Sequence, residues 1–204
     1  VLALLAWRQG QRTAGWSGFS RGVLALAAVG GCFFAADLAS WHVGIHYTKM
    51  ANATLFGNSA SLILAATTLL MARRLPRGTE ALALLLAVAG AVLLMRESGS
   101  AGESALLGDL LCLLAGVLYA GYMLTMQRAR GVLSSWQALA LSTASGVVPL
   151  LLAALAMGEQ VIPHNWTPVI ALAVSSQIVG PGLLVYALPP LSALVLGLTL
   201  PVQP

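Results

Sequence analysis

Residues 22–47 read GVLALAAVGGCFFAADLASWHVGIHY, and this stretch decides the fold. At about 1.5 Å per helical residue its length exceeds the roughly 30 Å hydrocarbon core of a bilayer. The apolar residues run continuously instead of alternating every second position, which selects a helix over a barrel strand. Its one carboxylate, Asp37, falls near the middle. Working outward, comparable runs occupy 51–71, 79–95, 106–126, 136–157 and 167–188, with 79–95 at the short limit. Six full spans are expected, making the chain an all-α polytopic membrane protein.

Composition agrees. Charged residues are only 8% of the chain, where a soluble domain carries roughly 25%. A surface so poor in charge is written for lipid. The net charge of +4 does not point to nucleic acid, because the arginines sit at span ends and form no stripe. One set of alternate loops holds Arg8, Arg12, Arg21, Arg73, Arg74, Arg77, Arg128 and Arg130; the opposite set holds Lys49 and Arg96. That asymmetry assigns the arginine-rich loops to the cytoplasm, so 22–47 runs outward and its successor returns. A multi-pass protein of the plasma membrane, of the bacterial inner-membrane kind, is expected.

Cys32 and Cys112 fall in apolar runs with no paired spacing, and read as buried thiols packed as small hydrophobes. VLALLAW at the start and LSALVLGLTLPVQP at the end read as cuts through helices, so an internal fragment is expected. An internal repeat is visible when Ala53-Thr-Leu-Phe-Gly57 is laid on Ala193-Leu-Val-Leu-Gly197, with Ser61 opposite Pro201. Five spans separate the copies, and an odd number reverses orientation. That is the arithmetic of the inverted repeats of secondary transporters.

Three groups of residues then resemble the drug/metabolite transporter superfamily, in its EamA-type ten-helix form. The first is Asp37-Leu-Ala-Ser-Trp41-His42 with Ile45-His46-Tyr47-Thr48 and Ala51-Asn52-Ala53-Thr54-Leu55. The second runs from Gly108-Asp109 to Tyr119-Ala-Gly-Tyr122. The third is Ser176-Gln177-Ile-Val-Gly180 through Tyr186-Ala187-Leu188, ending in Gln203-Pro204. The resemblance implies two inverted five-helix repeats. Residues 1–95 would hold most of the first, 96–105 an extracytoplasmic linker, and 106–204 the second without its end. Two departures matter: Ser61 stands where the first repeat carries a proline, and Arg73 where it carries a glutamate. The helix break of the first repeat is therefore in question.

Asp37 is the sharpest single signal, about 15 Å from the outer end of its helix. A carboxylate at that depth costs several kcal/mol unless protonated, paired or facing water, which suits a proton or cationic-substrate site. A protonated Asp locking two helices together is the plain alternative. Trp41, one turn on, either stacks on a substrate or anchors at the interface. Asn58, Tyr119, Tyr122 and Gln177 are polar groups inside other spans, and either line a cavity or bond between helices. Gly180-Pro181-Gly182 breaks the sixth span as a hinge or a static kink, and Pro149 reads as an ordinary kink. His42 and His46 lack a third ligand and read as interfacial histidines. Asp109 reads as a helix N-terminal charge favoured by the macrodipole. The sequons at Asn52 and Asn165 read as chance.

No metal or other cofactor is called for, and no catalytic set is visible. The expected function is secondary transport of a small metabolite or drug-like compound by alternating access, with proton-coupled export as one form of it and import left open. Its partners would be the small-molecule substrate, protons and the bilayer, with no nucleic acid. A membrane-embedded enzyme acting on a lipid-like substrate and a structural membrane subunit are the alternatives.

Overall fold

A computed structural model describes residues 20–73 and 75–175. Seven helices follow in order: α1 (Arg21–Gly44), α2 (Met50–Gly57), α3 (Ala60–Met71), α4 (Gly78–Ala101), α5 (Glu103–Ala129), α6 (Ser135–Ala156) and α7 (Trp166–Val174). Among the described residues there is no strand. Five segments are long and apolar enough to cross a membrane: α1, α2 with α3 as Met50–Met71, α4 over Gly78–Ser98, α5, and α6 over Trp136–Ala156. The sixth expected span begins as α7, and most of it lies outside the described residues. The protein is all-α and polytopic, with spans close to those read from hydropathy.

Helix starts follow local capping. Ser134 opens α6 with a reciprocal pair: its Oγ accepts from the Gln137 amide at 3.3 Å, and the Gln137 side chain accepts from the Ser134 amide at 3.0 Å. The Arg77 amide donates to Glu80 at 2.9 Å before α4, and the Thr167 amide to Asn165 at 3.0 Å before α7. Pro149 lies inside α6 without ending it. One difference from hydropathy is physical. The expected linker 96–105 is helical except at Gly102, whose φ of 127° turns α4 into α5 in a single residue. Polar residues there have side-chain partners, as shown below.

The chain packs as two units, one holding residues 20–35 and 121–175, the other 36–120. In the first, α1 and α6 meet through glycines. A Cβ on Gly31 would stand 2.1 Å from Ser145 Oγ and 2.5 Å from the Ser142 carbonyl, and Ser145 Oγ donates to the Ala27 carbonyl at 3.1 Å. Close backbone approach of this kind is how helices gain van der Waals contact in lipid. In the second, Ala53, Phe56 and Cys112 form a buried core, with Ile45, Ala91, Leu94, Met95 and Leu113 packed on it. Cys112 is buried as expected. Cys32 is exposed on the chain's surface, contrary to expectation, and so faces outward from its helix.

Candidate transport site

The span Met50–Met71 is interrupted at Asn58 and Ser59, two residues before Ser61. No proline is needed. Three amides around the interruption bond three residues back: Ser59 to Phe56, Ser61 to Asn58 and Leu62 to Ser59, at 3.0, 3.3 and 3.0 Å. This tight 3₁₀-like turn divides α2 from α3. Side chains hold it, because short polar groups compete for backbone partners. The Ser61 hydroxyl donates to the Asn58 carbonyl at 3.0 Å and the Asn58 amide to the Thr54 carbonyl at 2.9 Å. The break questioned from the sequence is present.

Two other helices press on this break within the same unit. From α1, the Trp41 ring lies 3.3 Å from where a Cβ on Gly57 would be. From α5, Gly116 approaches so closely that its Cβ would meet Ser59 Oγ at 2.2 Å and the Phe56 carbonyl at 2.9 Å. Ser59 Oγ is buried and, among the described residues, has no hydrogen-bond partner. An unmade bond on a buried hydroxyl is costly, and asks for an explanation. Asp37 is half-buried one turn before Trp41 on α1, with no hydrogen bond or ion pair among the described residues. Tyr119 is half-buried one turn after Gly116 on α5. Irregular backbone, an orphan hydroxyl, an aromatic ring and a carboxylate thus come from three neighbouring helices.

The other expected site residues fare differently. Asn58 is exposed and its amide is engaged by its own helix. Tyr122 belongs to the first unit, where its ring centroid lies 5.1 Å from that of Phe34 and its hydroxyl bonds Ser142. Gln177, Gly180, Pro181 and Gly182 lie outside the described residues. His42 and His46 meet edge to face with ring centroids 5.2 Å apart. Among the described residues no three His, Cys, Asp or Glu gather as metal ligands. Ser59 and Gly116 escaped sequence reasoning. The only signal was the position of Gly116 one turn from Tyr119.

Asp109 is the clearest correction. It does not cap a helix end: α5 begins at Glu103, and Asp109 is completely buried. Its carboxyl accepts from the Thr48 hydroxyl and, at 3.4 Å to each oxygen, from the Asn52 amide. The Asn52 amide also donates to Ser98 Oγ at 2.9 Å. Nearby, Lys49 pairs with Glu97 at 3.2 Å. The buried bond from Asn52 gives the Ser98 hydroxyl a partner inside α4. These bonds also bury the Asn52 sequon.

No curated protein and no solved structure matches the chain. Residues 106–204, which carry Asp109, Gly116 and Tyr119, match the model of the EamA-like transporter family. Over these residues the chain is similar to the EamA-like transporters.

Proposed function

We propose that the protein moves a small metabolite or drug-like compound by alternating access, as a proton-coupled exporter whose route passes the α2–α3 break. The observation that carries this reading is the buried, unpartnered Ser59 hydroxyl at broken backbone, beside Trp41 and Gly116. Non-helical backbone at membrane depth is tolerated where protein or a cavity covers it, and secondary transporters place their sites at such breaks. Ser59 and Tyr119 supply hydrogen bonds, and Trp41 supplies an aromatic face. Asp37 supplies the exchangeable proton. The two-repeat organisation over 1–95 and 106–204, with the arginine-rich loops cytoplasmic, belongs to the same proposal.

The test reconstitutes the full-length protein in vesicles and screens a metabolite panel for pH-gradient-driven transport. Asp37→Asn is expected to abolish the gradient-driven component while leaving the protein folded. Wild-type rates in that variant would remove Asp37 from the mechanism. Product formation from a lipid-like substrate, without net movement of a solute, would favour the enzyme alternative.

A further inference from the structure

The bonds around Asp109 tie together the turn after α1, α2, α4 and α5. Thr48 lies in the turn between α1 and α2, Asn52 in the first turn of α2, Ser98 near the end of α4, and Asp109 in α5. The same end of the unit is drawn together by backbone. A Cβ on Gly108 would stand 2.8 Å from the Thr48 nitrogen, and one on Gly44 would stand 2.7 Å from Cys112 Sγ. Cys112, one turn after Asp109, is completely buried beneath this seam.

Three features distinguish the cluster from a fixed structural ion pair. Among the described residues Asp109 has no cationic partner, and its contacts are to a neutral hydroxyl and a neutral amide. Hydrogen bonds between membrane helices are individually weak, so such a cluster can part and re-form. The joint between α4 and α5 is the single residue Gly102, whose φ of 127° glycine adopts without the penalty a side chain would bring.

We propose that Asp109 is a positioning residue for transport. With Thr48, Asn52 and Ser98 it forms a latch that holds the Lys49–Glu97 end of this unit shut over Cys112, and its parting opens that end. The latch sets the register of α1, α2 and α5, and so of Trp41, Ser59 and Tyr119 further along them. Its role in a cycle rests on the transporter reading. Its existence does not, and the experiment uses no transport.

The full-length protein carrying Cys32→Ser is treated with N-ethylmaleimide in membrane vesicles, and alkylation of Cys112 is followed by mass. Wild-type Cys112 is expected to react slowly without denaturant. Thr48→Val and Asp109→Asn are expected to speed the reaction about tenfold, the factor expected from losing one or two membrane hydrogen bonds. The exchange Asn52→Asp with Asp109→Asn restores a carboxyl facing an amide, and is expected to return the rate to within about threefold of wild type. A general loss of stability would not be reversed by that exchange. Wild-type rates in both single variants, or an exchange variant as fast as Asp109→Asn alone, would overturn the latch. Should Asp109→Asn fail to fold, judged by size exclusion, Thr48→Val decides the matter alone.

Discussion

Gly116 of α5 lies so close to Ser59 that a methyl group on the glycine would stand 2.2 Å from the serine hydroxyl. No real Cβ occupies such a position, so Gly116→Ala must push α5 away from the α2–α3 break. A destabilisation of about 1–3 kcal/mol is expected, the usual cost of overpacking. Gly90→Ala is the control, since nothing lies within 4 Å of its added methyl group. It should hold or raise the thermal midpoint in detergent, as alanine favours a helix over glycine by up to about 1 kcal/mol. Equal midpoints for the two variants would contradict the close approach.

Ser59→Ala should separate stability from transport. The substitution deletes a buried hydroxyl that has no partner among the described residues. Its removal is expected to be neutral or to stabilise by about 1 kcal/mol. On the proposed route past the break, transport should fall, because the hydroxyl offered there to a substrate is gone. Loss of both stability and transport would show that the hydroxyl has a structural bond.

The Lys49–Glu97 pair should be nearly silent. Its side chains are 70% and 65% exposed, and the N–O distance is 3.2 Å. A double-mutant cycle with Lys49→Ala and Glu97→Ala is expected to return less than about 1 kcal/mol of coupling, diminishing as salt is raised. A larger, salt-insensitive coupling would place the pair in the latch beside it.

Ser134→Ala should cost about 1 kcal/mol, the typical value of a helix N-cap. Its hydroxyl accepts the Gln137 amide at 3.3 Å, and the partner bond returns at 3.0 Å. Ser134→Gly should cost less, and Ser134→Asp should hold wild-type stability. Thermal unfolding of the three variants side by side checks the order.

Hydropathy made the spans legible because lipid leaves few other options for an apolar run of sufficient length. It failed where polar residues found partners. Arg96, Glu97 and Ser98 looked like the start of a loop, yet α4 continues to Ala101 with Lys49 on Glu97 and Asn52 on Ser98. Asp109 looked like a terminal charge because the apolar run starts near it. Its burial depends on Thr48 and Asn52, more than fifty residues earlier in the chain, a pairing that no local pattern encodes. At the candidate site, Trp41, Asp37 and Tyr119 stood out as unusual residue types in lipid. Ser59 did not, since serine is common in membrane helices, and only its missing bond marks it.

The break at Asn58 and Ser59 has a property that a proline break lacks. Every residue across it keeps its amide hydrogen, and the turn is held by side-chain bonds to the Thr54 and Asn58 carbonyls. If those two side chains let go, the amides can return to partners four residues back and α2 and α3 become one continuous rod. Nothing in the covalent chain enforces this interruption, whereas the proline that the resemblance expects near it would delete an amide hydrogen for the life of the chain.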